Sequence, residues 1–561
     1  MSTEDLTGNR VLVIGLDGAT FRVLGPLIEA GLMPNLKRLM HEGASGTLLS
    51  TVPPNSAAAW TTFITGKNPG KHGIFHFVSL GWQLDVERAE EAVEVSPGAF
   101  AVVNANSIKD ATLWQMVGDA GKHLVVVNVP MTYPPRPVNG VMITSLLTPP
   151  GAGQFTYPPE VGEELEEYEI ELARSEWASL SEVQIIERLI ETTDKRGRTA
   201  LRLMMQEPWD MFMVVFTETD RVQHRFWNYL CPTAEGYSSS EADKYRPALD
   251  SFYANLDDWI GRLVKEAGPE VSVVIMSDHG FTGQARRRVY VQALAQELGL
   301  FTMHKASWAG RLRAFVESTM GLRYERVYRI LIKVVPGKLL VRLLGFLRGE
   351  ERRALGSQRG RITKLQQAVG AVSLNREQPG EHDASVLKHL RERLERLRDP
   401  MDGREVVRKV STRDEIYSGR FTEELPPLIF FLEDGYGLTS GTGRHGRVFE
   451  RQLTAPMLQG VHAPDGILML HGPHIRQREF AGQPLIQDVT ATILYLLGLS
   501  ISEDLDGRVL SETLDPEFWA AHPVEHVRAT GAGRAEDSVS DYSREDAEAI
   551  EKRLRGLGYI D

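Results

Sequence analysis

Uninterrupted apolar runs that stop at an acidic turn recur along this chain. Residues 211–216 read MFMVVF without alternation, the pattern of a strand covered on both faces of a parallel sheet, and the polar text TETDRVQH follows at once. RVLVIGLDG (10–18), HLVVVNVP (123–130) and VSVVIMSDHG (271–280) repeat the arrangement, and PLIFFLED (427–434) and GILML (466–470) predict further strands. Helical patterns lie between them at ATLWQMVGDAG (111–121), around 246–267 and at DVTATILYLL (488–497), while 157–207 is helix-rich and acidic and offers no evident chemistry. Prolines 53 and 54 end a strand, Asn55 or Ser56 can cap a helix from Ala57 to Thr65, and Gly66 stops it. Strand and helix alternating in this way predict a doubly wound α/β fold.

In open parallel sheets the carboxyl ends of the strands face the ligand crevice. Asp17, Asp220 and Asp278 each stand where an apolar strand ends, and His279 follows Asp278 directly, with Gly280 freeing the turn. Asp220 and His224 are four residues apart and share one helix face, as a metal-ligand pair would; a capping aspartate beside a surface histidine is the plain alternative. His462 lies in GVHAPDG and completes a set. Ser56, at a helix N-terminus, sits beside free amides where a phosphate is also stabilised. Three aspartates, three histidines and one hydroxyl exceed a single tetrahedral site and match two adjacent divalent ions. Asp/His ligation without cysteine suits zinc first, with manganese as the alternative.

Length and charge narrow the class. At 561 residues the chain is too long for one average domain. Its 63 Lys or Arg against 75 Asp or Glu leave a net charge of −12, which weighs against a nucleic-acid partner. The single cysteine, Cys231, excludes an internal disulfide and a thiolate-clustered zinc site. With no signal-peptide h-region and no long uncharged apolar span, a cytoplasmic location is expected.

Five motifs now stand in one order: GLDGAT with Asp17, NSAAAWTTFITGKNPGKHGI with Ser56, TETDRVQHRFW with Asp220 and His224, SDHG with Asp278 and His279, and GVHAPDG with His462. Together they resemble the alkaline phosphatase superfamily, and within it the type I phosphodiesterase and nucleotide pyrophosphatase branch. The resemblance implies a three-layer α/β/α fold with a mostly parallel central sheet and a helix-rich insertion. It further implies that Asp220, His224 and His462 hold one metal, that Asp17, Asp278 and His279 hold the other, and that Ser56 is both ligand to the second and nucleophile. The expected activity is hydrolysis of a phosphodiester or phosphomonoester through a phosphoserine. The Cys-x-Pro-x-Arg signature of sulfatases is absent around Ser56, which disfavours sulfate esters. Nucleotide pyrophosphatases carry a phosphate-binding Asn after the KHGI-like segment; Phe77 stands there in this chain, preceded by His76, which could substitute as a donor to substrate.

The expected catalytic core is discontinuous, 1–291 and 425–515, with an insertion or cap at 292–424 and a tail at 516–561 that begins with a flexible linker. Within the insertion, residues 311–364 hold 14 Lys or Arg against 4 Asp or Glu, a net +10 in an acidic protein, on an amphipathic helical pattern. Three readings compete: a cap lending arginines to an anionic substrate, a hairpin paired with the acidic 157–207 region, or peripheral contact of 308–348 with anionic lipid. The expected partner is a small phosphate ester or a lipid head group. A phosphotransferase or mutase on the same scaffold, and a non-catalytic metal-stabilised scaffold or lipid-surface binding protein, are the alternatives.

Overall fold

The computed structural model describes residues 9–78, 102–165, 168–171, 177, 179–234, 236–237, 239–303, 355–358, 360–374, 382–440, 443, 446–451, 459–480, 482–528 and 542–557. The chain forms two compact units, Met1–Gln284 with Asp414–Leu425 and Thr454–Asp561, and Ala285–Arg413 with Pro426–Leu453.

The first unit is built on a nine-stranded sheet. Its strands are β1 (Arg10–Leu16), β2 (Ala44–Leu49), β3 (Leu124–Val127), β4 (Gly140–Ile143), β5 (Thr156–Tyr157), β6 (Met211–Phe216) and β7 (Val271–Met276), with Asp465–His471 and Arg478–Glu479. Across the sheet they run 478–479, β2, 465–471, β7, β1, β6, β3, β4, β5. The central run from β7 to β4 is parallel throughout, and strand 465–471 lies antiparallel to both β2 and β7. Leu16 pairs beside Phe216 and Gly15 beside Met276, so the carboxyl ends of β1, β6 and β7 finish level.

Successive side chains of a strand point to opposite faces, so an unbroken apolar run needs cover on both. Val11, Val13, Met211 and Met213 enter one core with helices Ser56–Thr65, Leu113–Asp119 and Ile486–Leu496. Leu12, Ile14, Phe212 and Val214 enter a second core with helices Phe21–Glu29, Pro34–Glu42, Glu182–Gln206, Glu218–Leu230 and Ser239–Ala267. The expected three-layer α/β/α fold with a mostly parallel sheet is the fold observed. The C-terminal helix, Arg544–Leu557, starts where Ser543 Oγ accepts the Asp546 amide (3.1 Å), and it buries Ile550 and Leu554 in the first core.

The second unit carries an antiparallel sheet of Gly360–Gln366, Val369–Leu374, Leu428–Leu432 and Val407–Thr412, covered by helix His382–Glu395. The PLIFFLED run is therefore a strand of this smaller sheet, not of the central one: its apolar pattern specifies burial without specifying which sheet supplies the cover. Its strand sits within Pro426–Leu453, while Asp414–Leu425 clusters with the first unit, so the second unit is two stretches of chain, against the single insertion 292–424 that the sequence predicts. Residues 304–354, with most of the basic amphipathic stretch, and 529–541 of the tail linker lie outside the described residues. Among those described, no helix is long and apolar enough to cross a membrane.

Candidate active site

Each motif side chain is placed by a strand end or by the first turn after one. Asp17 follows β1, Asp278 and His279 follow β7, and Asp220 and His224 lie one turn apart on helix Glu218–Leu230 after β6. His462 sits on strand Gly460–Ala463, paired with β8 (Gly280–Gly283) so that it lies opposite Phe281. Ser56 is the first residue of its helix, and Asn55 is the cap: its side chain accepts from the Ala58 amide and its carbonyl from that of Ala59. Among the described residues the amides of Ser56 and Ala57 have no intrahelical partner, as is usual for the first N–H groups of a helix.

Two clusters of buried ligand-type atoms result, Asp220–His224–His462 and Asp17–Asp278–His279. In the first, His224 Nε2 and His462 Nε2 stand 3.0 Å apart, with Asp220 Oδ1 3.5 and 3.3 Å from them. His224 Nδ1 lies 2.9 Å from the Gly460 carbonyl, which fixes its proton there and turns the Nε2 lone pair toward a second imidazole nitrogen. In the second cluster, Asp278 Oδ2 and Asp17 Oδ1 are 3.4 and 3.8 Å from His279 Nε2, and Ser56 Oγ is 3.2 Å from the same nitrogen. The His279 and His462 rings stack at 3.7 Å, which sets the two clusters side by side.

The donor set fits a pair of cations. Asp17 Oδ2 accepts from Trp60 Nε1 and Asp278 Oδ1 from the Gly18 amide, yet Asp17 Oδ1 and Asp278 Oδ2 are buried with no hydrogen-bond partner among the described residues. Buried carboxylate oxygens are not left so without a counter-charge. Ligands about 2.0–2.1 Å from a tetrahedral zinc lie about 3.3–3.4 Å from one another, near the separations of 3.0–3.5 Å in the first cluster.

The electrostatics agree. Burial, then the neighbouring charges of Asp278 and Asp220, pushes the Asp17 carboxyl well above the usual carboxylate range. Burial also raises Asp278, to about 7. For Asp220 burial works in the same direction but is outweighed by His224, Arg221 and His462, and the carboxyl ends below its ordinary value. Burial drives His224 and His279 down to about 4 and lowers His462, so all three imidazoles are neutral and have lone pairs to give.

All seven residues expected at the metals converge. Phe77 does not join them: its ring is fully buried in the first core, where a large apolar side chain gains most. His76, edge-on to Phe77 at 6.3 Å, belongs to neither cluster. Sequence reading missed the groups that hold these side chains in place. Arg221 binds Asp220 Oδ2 through Nη1 and Glu171 bidentately at 2.9 Å, and Arg196 pairs with Glu218 in full burial. Glu171 and Arg196 come from the stretch that seemed empty of chemistry. The available signal was the charge density of TETDR at a doubly covered strand end, where every ion needs a partner.

Residues 11–465 match the family model of type I phosphodiesterase / nucleotide pyrophosphatase. A comparison with curated protein sequences finds no match. Among solved structures, phosphonoacetate hydrolase from Sinorhizobium meliloti 1021, in complex with phosphonoformate, aligns at TM-score 0.52 and 15% identity over 88% of this chain and 96% of that one. Human ectonucleotide pyrophosphatase / phosphodiesterase 5 aligns at TM-score 0.48 and 14% identity over 90% and 100% of the two chains. The likeness to phosphonoacetate hydrolase is one of fold; the family follows from the match over most of the length. The chain belongs to the type I phosphodiesterase / nucleotide pyrophosphatase family, phosphoesterases of the alkaline phosphatase superfamily.

Proposed function

We propose that this protein is a two-metal phosphoesterase that cleaves a phosphodiester or phosphomonoester through Ser56. The observation that carries the reading is the 3.2 Å contact of Ser56 Oγ with His279 Nε2, which puts a helix N-terminal hydroxyl at the edge of one ligand cluster, next to the other. Asp220, His224 and His462 would hold one ion; Asp17, Asp278, His279 and Ser56 Oγ would hold the second. Zinc, or alternatively manganese, would supply Lewis-acid stabilisation of the entering and departing oxygens.

The protein's own part is positioning. Trp60 and the Gly18 amide fix one oxygen of Asp17 and one of Asp278, and the Gly460 and Gly280 carbonyls, 2.9 and 3.1 Å from His224 and His279 Nδ1, orient those rings. The Ser56 and Ala57 amides, at the positive end of their helix, receive a non-bridging phosphoryl oxygen. Ser56 Oγ, its proton passing to solvent water, attacks phosphorus, and the bond to the leaving oxygen breaks with its electron pair going to that oxygen, which takes up a proton from water. Water then cleaves the P–Oγ bond and returns a proton to Ser56.

Purified protein supplied with zinc or manganese should hydrolyse p-nitrophenyl phosphate or its bis-ester. Ser56→Ala should lower kcat by about 10³-fold or more while metal content, measured by elemental analysis, stays within twofold. Equal turnover in Ser56→Ala would remove the serine from the mechanism.

A further inference from the structure

The turn that follows β1 is held by its carbonyls. Those of Asp17, Gly18 and Ala19, three in succession, each accept from a buried side chain of another segment: Thr219 Oγ1 at 2.6 Å, Gln223 Nε2 at 2.8 Å and Ser277 Oγ at 2.9 Å. Thr219 precedes Asp220 and Gln223 precedes His224, all four on helix Glu218–Leu230, so two of the three grips come from the element that carries the first ligand cluster. Ser277 precedes Asp278 of the second, and its hydroxyl also accepts from the Ile467 amide at 2.8 Å.

The carbonyl of Asp17 and the N–H of Gly18 belong to one peptide unit, which is planar and rigid. Thr219 holds the oxygen of that unit, and its N–H donates to Asp278 Oδ1 at 3.1 Å. A grip on one side of the plane therefore sets the direction of the donor on the other, and polarisation by the hydroxyl strengthens it. The Thr219 hydroxyl has one proton, and Asp17 is the nearer of its two acceptors, the Phe216 carbonyl lying at 3.2 Å. The next peptide unit is held by Gln223, whose Nε2 also meets the Thr219 carbonyl at 3.2 Å. Two carbonyls can be met only by the donor end of an amide, so Gln223 has one orientation. A continuous run of buried hydrogen bonds thus leads from the helix of one cluster to both carboxylates of the other.

We propose that Thr219 and Gln223 are positioning residues for the second ion: carried on the helix of the first cluster, they set the geometry of Asp17 and Asp278 through the turn Asp17–Ala19. The proposal rests on the two-ion reading above and goes beyond it, because it gives two side chains that are not ligands control over the cluster across from their own. Outer partners that orient a ligand act on metal affinity in this way.

The test measures zinc affinity of the full chain, by competition with a chelating dye, in two backgrounds: His224→Ala, which leaves the Asp17–Asp278–His279 cluster intact, and His279→Ala, which leaves Asp220–His224–His462. Thr219→Val keeps the shape and removes the hydroxyl, Thr219→Ser keeps the hydroxyl and removes a methyl, and Gln223→Met keeps the length and removes the donor. In the His224→Ala background Thr219→Val should weaken zinc about tenfold or more, the range for an outer partner of a metal ligand. Gln223→Met should weaken it less, because the carbonyl it holds is one peptide further from Asp278, and Thr219→Ser should stay within about twofold. In the His279→Ala background all three should stay within about twofold. A larger loss in Thr219→Ser than in Thr219→Val would mark packing and overturn the proposal, as would equal weakening in both backgrounds. Should Thr219→Val not fold, Gln223→Met against Thr219→Ser carries the comparison, and unchanged affinity in Gln223→Met then overturns it. Wild type that binds fewer than two zinc ions by elemental analysis would sink the two-metal reading and the proposal together; two ions with unchanged affinity in every variant would sink the proposal alone.

Discussion

Trp60 Nε1 donates a 3.1 Å hydrogen bond to Asp17 Oδ2, which ties the helix that begins with Ser56 to the acid at the end of β1. One indole thus fixes the distance between the Ser56 helix and Asp17, and the other oxygen of Asp17 lies toward His279. The bond lies in full burial, where its geometry is not shared with water.

Trp60→Phe removes this donor and keeps an aromatic ring. Outer partners of metal ligands typically carry 10–100-fold in metal affinity, so zinc or manganese should bind about that much more weakly, read by competition with a chelating dye. Phe63→Leu, which loosens the same core from 5.9 Å away, is the control and should leave affinity unchanged. Matching losses in both variants would show that packing, not the hydrogen bond, matters.

Arg196 and Glu218 form a fully buried ion pair, with the Thr217 hydroxyl accepting from Arg196 Nη1 at 3.2 Å. Arg196→Ala strands a buried carboxylate and should cost about 3–5 kcal/mol in urea unfolding. Arg196→Met with Glu218→Leu removes both charges and should cost clearly less. A double variant as unstable as the single one would refute this account.

His72 supplies a pH dependence that is independent of the metals. Its Nδ1 accepts from the Ile74 amide (3.1 Å), its Nε2 meets Thr62 Oγ1 (3.0 Å), and burial pushes its pKa down to about 3. The unfolded chain, with a histidine near 6.5, therefore binds the proton first, so stability falls as pH drops below about 6.5 and stops falling near 3. His72→Gln cannot charge. Whatever its packing cost at pH 8, it should recover about 2 kcal/mol relative to wild type between pH 6.5 and 4.5. Parallel stability curves over that range would show that His72 does not titrate as its burial requires.

Metal removal should be felt by the whole first unit. Asp17, Asp220 and Asp278 bring three buried carboxyl groups together, and chelation leaves them without the ions that would compensate them. Treatment with EDTA should lower the melting temperature by several degrees, and zinc or manganese should restore it in wild type and in Ser56→Ala alike. A melting temperature indifferent to chelator would argue against metal binding at these residues.

The sequence by itself determined the fold class of this protein and singled out the seven side chains that the fold brings together. Doubly covered strands such as 211–216 leave no alternative to helices on both faces, and an acid that ends such a strand has only the crevice to face. It also specified the helix at Ser56, through local terms: prolines before, Asn55 as cap, Gly66 in the left-handed region at φ +65°. Tertiary structure alone decided which sheet took the 428–432 run, because burial is a demand that either sheet can meet. It also decided the supporting shell. Glu171 reaches Arg221 across 50 residues, Trp60 reaches Asp17 across 43, and Arg553 reaches Thr148 across 405, and no spacing rule encodes such pairs. Periodicity reports which way a side chain faces; only the packed chain reports what it meets there.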